Sequence, residues 1–495
     1  MQARSSERLA SVFTACCAVA VAAAYLRNLR AGPFADDFGW VRMGFAAIQR
    51  GRLGIWYDAL DCFFFRPFNI AIVAESMRAG TWALAHGVAL SVNVVMGLMV
   101  GWLAIRIHPD RDLRWLGLAA GCAFFAHQAN TTTVLQLDTL SQSMSDLFAV
   151  VALVAAVLYV RSSRRWLLVS AVASVGAMLG KEGGISVPVA AVVTVLVLSP
   201  RPARVGKAAY MLLAQLGASA VYVVWRLSVL NLVPLPAELQ PRYGFAVGLT
   251  TIHNFARFIF IEGVPWNSAS LMAGRKPQEW AIGLALGGLM LLVAGLGWKR
   301  LLRERPGSRA LLVWLVAVFL VWCTPYVFLI QVSEQEAYRL TAVTVLAVGM
   351  GCWALLRSAD RRLALLAVVV WCAWVFTGSV GSIEKSNMLR HNSEVATELL
   401  DEAEAALGDI SRTDTVRVFM VPAEHPPRTY SILSIPDVTL RVQALWRLDT
   451  RLRKPGLTIE HMEPGREPPD TLSSSPGLKT LRVDVEHGSV ELVPR

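Results

Sequence analysis

The sequence predicts an all-α polytopic membrane protein that carries a small α/β domain at its C-terminal end. Three observations predict it. The 495 residues are 55% hydrophobic and only 17% charged, with a mean hydropathy of +0.48, which is too apolar for a water-soluble chain of this length. The chain also contains about eleven apolar runs long enough to be read as crossings of roughly 30 Å of hydrocarbon. From about Gly381 the composition changes abruptly to that of a soluble domain.

The runs fall at 9–28, 81–105, 115–133, 143–160, 166–180, 184–199, 208–229, 280–298, 310–330, 339–356 and 363–380. The first is longer than the apolar core of a cleaved leader, so it reads as an anchor, and Asp36 lies outside on either reading. The formal net charge of +11 is explained by where the basic residues stand rather than by a nucleic-acid partner. Arg4 and Arg8 precede the first run, and "RIHPDRDLR", "RSSRR", "RPARVGK", "KRLLRERPGSR" and "RSADRR" fill alternate loops. The positive-inside rule places all of these in the cytoplasm, with the N-terminus inside and the C-terminal domain outside. The Arg- and Ala-rich composition and short loops point to a prokaryotic plasma (inner) membrane. Of seven cysteines only Cys62 falls in an outer loop, so no disulfide framework is implied.

Two domains follow, residues 1–380 in the membrane and residues 381–495 on the outer face. In the second, "SEVATELLDEAEAALGD" has the apolar spacing of an amphipathic helix, "TVRVFMV" and "LTIEHME" read as strands, and "LKTLRVDVEHGSVELVP" reads as a hairpin turning at His487–Gly488. His425, His461 and His487 are too scattered to form a catalytic group, and "EPGREPPD" is a loop.

Polar residues beside apolar spans are expensive, and here nearly all of them stand at outer ends. "GPFADDFGW" places Asp36 and Asp37 one short loop after the first span. They fit a solvated loop or the cap of an interfacial helix beginning near Phe38. They also fit catalysis, because close carboxylates in an apolar setting push one pKa up and suit that group to accept a proton near neutral pH. Arg66, in "CFFFRPFNIAI", can bind an anionic lipid headgroup or grip a substrate phosphate with its guanidinium fork. His86 stands at the outer end of the second span, with Asn93 two turns deeper, either as a packed histidine or as a site residue.

The third span ends in "FFAHQANTTTV" and the fourth starts from "DTLSQSMSDLF". His127, Gln128, Asn130, Asp138, Gln142 and Asp146 are too many polar groups for a packing accident, and point to a water-filled cavity. "MLGKEGGISVP" then supplies Lys181 and Glu182 before a Gly pair that breaks the helix. Lys181 lies on the side the positive-inside rule disfavours, so it reads as a phosphate or substrate ligand, or as the partner of Glu182. "SEQEAYRL" adds Glu334, Glu336 and Arg339 in a later outer turn. Asp36, Asp37, Asp138 and Glu182 would suit a hard divalent metal ion if they converged, though their spacing alone does not require one.

The order of these motifs over residues 30–190, about a third of the chain, resembles the membrane domain of GT-C fold glycosyltransferases, in particular the protein O-mannosyltransferases and their tetratricopeptide-repeat-bearing relatives. The matching pieces are Asp36–Asp37, "FRPF", "HGVALSVN", "FFAHQANTTTV", "SDLF" and "GKEGG". The resemblance implies a hexosyl- or mannosyltransferase-like enzyme that moves a sugar, with inversion, from a polyprenyl-phosphate-linked donor to a hydroxyl of a protein, glycan or lipid acceptor. It implies Asp36 or Asp37 as the base, and Arg66, Lys181 and Arg339 near the donor phosphate. "HQAN" keeps only the first histidine of the family's motif, no arginine precedes the Asp-Leu pair, and no tetratricopeptide repeats follow. A transporter or flippase for lipid-linked sugars is the alternative; it calls for polar residues at both faces and paired repeat halves, and neither is evident.

Overall fold

The computed structural model describes residues 2–56, 66–107, 114–230, 247–264, 277–305, 307–329, 334–358, 360–408, 415–421, 435–445, 448, 458–462 and 478–493. Cys62, His425 and "EPGREPPD" lie outside the described residues. The molecule is a largely helical membrane protein with a small C-terminal sheet. Among the described residues, eight helices are long and apolar enough to cross a membrane and three more are apolar but shorter, Arg114–Ala126, Arg165–Gly180 and Glu182–Leu198. Together they fall on the eleven predicted runs.

The helices in chain order begin with α1 (Gln2–Leu26), α2 (Asp37–Arg50), α3 (Pro67–Arg78), α4 (Ala83–Ile107) and α5 (Arg114–Ala126). They continue with α6 (Asn130–Leu135), α7 (Leu140–Arg161), α8 (Arg165–Gly180), α9 (Val187–Leu198) and α10 (Arg201–Leu230). The last group is α11 (Leu249–Gly263), α12 (Pro277–Glu304), α13 (Ser308–Val327), α14 (Tyr338–Leu356) and α15 (Arg361–Leu407). Small residues let several of them approach closely, as expected where lipid supplies no hydrophobic drive between helices. A Cβ on Gly101 would lie 2.5 Å from the Gly117 carbonyl oxygen, and one on Gly297 only 1.7 Å from that of Gly351. Two buried tryptophans satisfy their indole N–H groups across helices: Trp371 donates to Thr14 Oγ1 (2.9 Å) and Trp314 to Thr194 Oγ1 (2.9 Å).

Two spans differ from the sequence expectation. The third ends at Ala126 rather than 133: the chain turns through His127–Ala129, forms the short α6, and passes through a 3₁₀ turn, Leu137–Thr139, into α7. Asn130 donates to Phe124 O at 2.6 Å, and Thr139, just beyond α6, donates to Gln136 O at 2.6 Å, so both side chains bond the local backbone. The last span does not end at 380. α15 runs 47 residues without a break, roughly 70 Å at the α-helical rise, so the predicted boundary between residues 380 and 381 falls inside one helix. Its start is capped by the Asp360 carboxylate, which accepts from Arg362 N at 2.8 Å, and it stops at Gly408 with φ 58°. The 3.6-residue burial pattern continues past Gly381 through Ser382, Ser386, Leu389, Ser393 and Ala396.

Beyond α15 lie β1 (Thr415–Val421), α16 (Asp437–Leu445), β2 (Thr458–Met462), β3 (Leu478–Asp484) and β4 (Ser489–Leu492). The sheet order is β2-β1-β3-β4, with β1 parallel to both neighbours and β3–β4 antiparallel. The predicted hairpin is present. Its turn uses Gly488 at φ 76°, and the half-buried Asp484 carboxylate accepts from the backbone N–H of His487 and Glu486, which holds its pKa down.

Candidate active site

Most of the polar residues singled out in the sequence stand at one end of the membrane helices, on the connections α1–α2, α2–α3, α5–α7, α8–α9 and α13–α14 or in the first two turns of α4, α7 and α14. α2 is amphipathic, burying Asp37, Trp40, Val41, Gly44 and Ala47 while Arg42 and Arg50 face outward. Its first turn separates the acid pair. Asp36 occupies the N-cap position without a side-chain capping bond and is exposed, whereas Asp37 is 1% exposed. Ala35 adopts the left-handed φ of 49°, an uncommon conformation for a side-chain-bearing residue that marks a constrained turn.

Asp37 is held by backbone donors on both oxygens: Asp138 N donates to Oδ1 at 2.7 Å and Phe34 N to Oδ2 at 3.3 Å. Burial nonetheless pushes its carboxyl well above the usual carboxylate range; the two N–H donors oppose the shift, and the charges of Asp138 and Asp36 add to it. Asp138, on the 3₁₀ turn before α7, accepts the indole N–H of Trp40. The Trp40 ring in turn lies under Arg66, whose guanidinium carbon is 5.6 Å from the ring centroid.

Arg66 precedes α3, where Pro67 fits the first helical turn. It donates from Nε (3.2 Å) and Nη2 (2.8 Å) to the same oxygen of Glu182, and Arg226 approaches the other oxygen at 3.7 Å. Glu182 is therefore flanked by two arginines, and the expected Lys181–Glu182 contact is not a close ion pair. Lys181 is half-buried, and among the described residues its side chain makes no hydrogen bond or ion pair. Burial lowers its pKa; the charges of Glu336, Asp138 and Glu182 oppose that shift and the charge of Arg66 adds to it. Asp37, Asp138, Trp40, Arg66, Glu182 and Lys181 thus form one connected polar cluster.

The Gly183–Gly184 pair after Lys181 is required by close approach. A Cβ on Gly183 would meet the Tyr326 hydroxyl at 1.9 Å, and one on Gly184 the Ala177 carbonyl oxygen at 2.3 Å. Arg339 is not at the surface of this cluster: it is fully buried and holds it from behind. Its Nε pairs with Asp146 Oδ1 at 2.6 Å, with both side chains 0% exposed. Its Nη1 donates to Gly183 O (3.0 Å) and its Nη2 to the Tyr326 hydroxyl (2.9 Å). Gln142 closes the set by donating to Asp146 Oδ2 at 2.6 Å.

The two histidines lie outside the cluster. His86 Nε2 meets Ala31 O at 3.1 Å, pinning the connection between α1 and α2. His127 Nδ1 accepts from Ala129 N (3.3 Å), so the neutral ring carries its proton on Nε2 and donates it to Glu262 O (3.3 Å). Sequence reasoning missed Trp40, Tyr326 and Lys385. Trp40 stood inside the quoted "GPFADDFGW", but its partner is 98 residues away. Lys385, fully buried on α15, donates to the Gln128 carbonyl oxygen at 3.1 Å, and only the continuity of that helix places it there. Among the described residues no three His, Cys, Asp or Glu side chains converge to hold a metal ion; Glu182 is engaged by arginine and Asp138 by Trp40.

No protein-family model and no curated protein matches this chain. Among solved structures, it is similar to the crystal structure of ArnT from Cupriavidus metallidurans bound to undecaprenyl phosphate, with a TM-score of 0.49 and 13% identity over 94% of this chain and 92% of that one. The apo state of ArnT gives a TM-score of 0.49 and 13% identity, over 89% and 84%. The archaeal oligosaccharyltransferase AglB from Archaeoglobus fulgidus, in complex with an inhibitory peptide and a dolichol-phosphate, gives 0.45 and 13%, over 83% of this chain and 62% of that one. These likenesses are distant, so the chemistry of the site is argued from its own residues.

Proposed function

We propose that the protein is an integral-membrane GT-C-type glycosyltransferase that moves a sugar from a polyprenyl-phosphate donor to an acceptor hydroxyl on the extracytoplasmic face. The single observation that carries this reading is the buried Asp37, connected through Asp138 and Trp40 to the cations Arg66 and Lys181. A buried, proton-avid carboxylate in the same polar cluster as a cation whose side chain has no close partner among the described residues suits a reaction that releases a proton at one atom and negative charge at another. The order of motifs along residues 30–190 supports the same reading.

In the proposed reaction the acceptor oxygen attacks the anomeric carbon as its proton passes to a carboxylate oxygen of Asp37. The bond from that carbon to the phosphate oxygen breaks, its electron pair stays on the phosphate, and the anomeric centre inverts. The leaving phosphate gains one negative charge, which Lys181 offsets, with Arg66 held ready by Trp40 and Glu182. The Asp146–Arg339 pair acts as a positioning element that fixes the Lys181–Gly184 segment.

The test is incubation of the purified protein in lipid with polyprenyl-phosphate sugars carrying a labelled sugar and a panel of acceptors. Release of polyprenyl phosphate together with a product of inverted anomeric configuration is the expected result. Movement of the intact donor across the bilayer with no release under any acceptor would overturn the transferase in favour of a flippase.

A further inference from the structure

A second site lies on the other side of α2. A cavity of about 860 Å³ is bounded by the connection after α1, one face of α2, the α3–α4 turn and the part of α15 that projects beyond the membrane. α2 is the partition: it turns Asp37 and Trp40 toward the cluster described above, and Phe38, Val41 and Phe45 toward this cavity. The cavity is therefore separate from the proposed transfer site and does not depend on that reading.

Its charged groups are arranged in two tiers. Arg27 and Arg30 follow immediately after the 22-residue span Ser5–Leu26, so they stand at the membrane surface. They lie at the end opposite the basic loops, where the positive-inside rule disfavours them. Both are exposed, and neither makes a hydrogen bond or ion pair among the described residues. Beside them Phe45, Met77 and Trp82 supply an apolar and aromatic wall, as at a bilayer interface. Farther along α15 the lining changes to Ser393 and Thr397 hydroxyls and to the carboxylates of Glu394, Glu398 and Glu404. Arg390 is already engaged by Glu394, at 3.5 Å.

We infer that this cavity binds the headgroup of an anionic membrane phospholipid, with the phosphodiester between Arg27 and Arg30 and the hydroxyls of the headgroup against Glu394, Glu398 and Thr397. Guanidinium forks match phosphate oxygens. Carboxylates on the upper tier favour a headgroup that carries donors and disfavour a second anionic group there. The aromatic wall accommodates the start of the acyl region. A soluble phosphate would engage only the lower tier.

The test is native mass spectrometry of the whole protein released from detergent after titration with phosphatidylglycerol, with phosphatidylcholine and with inorganic phosphate. One retained phosphatidylglycerol is expected, not displaced by excess phosphatidylcholine or phosphate. Retention falls by roughly tenfold or more in R27Q/R30Q, falls also in F45E, and survives in R27K/R30K and in R42Q, which alters an exposed arginine outside the cavity. Equal retention in R27Q/R30Q and wild type, equal loss in R42Q, or displacement by inorganic phosphate alone would each overturn the assignment.

Discussion

The backbone N–H of Asp138 donates to Asp37 Oδ1 over 2.7 Å, joining the first turn of α2 to the start of α7 across 101 residues of sequence. This bond orients a carboxylate that burial would otherwise leave poorly solvated. It also brings the side chain of a second acid into the same region without making it a close ionic partner, because Asp138 is bound by Trp40.

Asp37 imposes a pH dependence with a definite sign. Its carboxyl is pushed up in the fold, chiefly by burial, so the folded state binds a proton at a pH where the unfolded chain, near the ordinary carboxylate value of about 4, has lost it. The stability this group contributes is fully present below the unfolded value and is lost as pH rises through the folded one. Acidification from neutrality is therefore expected to narrow the stability gap between wild type and Asp37→Asn in melting experiments. Turnover moves the opposite way, falling with acidity as the base becomes protonated.

Lys181 is expected to act on charge that develops during the reaction. Lys181→Met lowers kcat by about a hundredfold, the size of the loss on removing one preorganised donor to a developing anion, with a smaller change in KM. Single-turnover kinetics with a labelled donor measure it. A change confined to KM would make Lys181 a binding residue only.

Asp146 and Arg339 are both 0% exposed and paired at 2.6 Å. Removing one partner strands a charge, so Asp146→Ala and Arg339→Met each destabilise by about 3 kcal/mol or more. The double variant recovers part of that loss. Chemical unfolding of the four forms in detergent checks the coupling.

Gly183→Ala places a methyl group where the Tyr326 hydroxyl already stands, 1.9 Å away. The Lys181–Gly184 segment or Tyr326 must move, at a cost of about 1–3 kcal/mol. Activity is expected to drop with it, and the G183A/Y326F double variant, which removes the clashing oxygen, to recover part of both.

Hydropathy made the eleven apolar helices legible, and alternating charge made it legible that their polar ends gather on one side. Both properties are carried by each segment alone. The cluster of Asp37, Asp138, Arg66, Lys181 and Glu182 could be anticipated because polar residues are costly at such positions. Partner choice could not. Glu182 looks like the natural mate of Lys181, yet Arg66, 116 residues away, takes it, because tertiary packing brings α3 against the α8–α9 junction. Arg339 looked like a surface cation in a polar turn, and its partner, Asp146, sits in another helix. The length of α15 was hidden for a different reason. A change in composition reports a change of solvent, and a helix need not end where its solvent changes.

Asp37, and not its neighbour Asp36, is expected to accept the proton. The direct measurement compares wild type, Asp36→Asn and Asp37→Asn for sugar transfer from polyprenyl-phosphate donors in lipid, with donor binding measured in parallel. The exposed Asp36 is expected to be dispensable, while Asp37→Asn loses about a thousandfold in turnover and still binds donor. Full turnover in Asp37→Asn, or loss only in Asp36→Asn, would contradict the assignment.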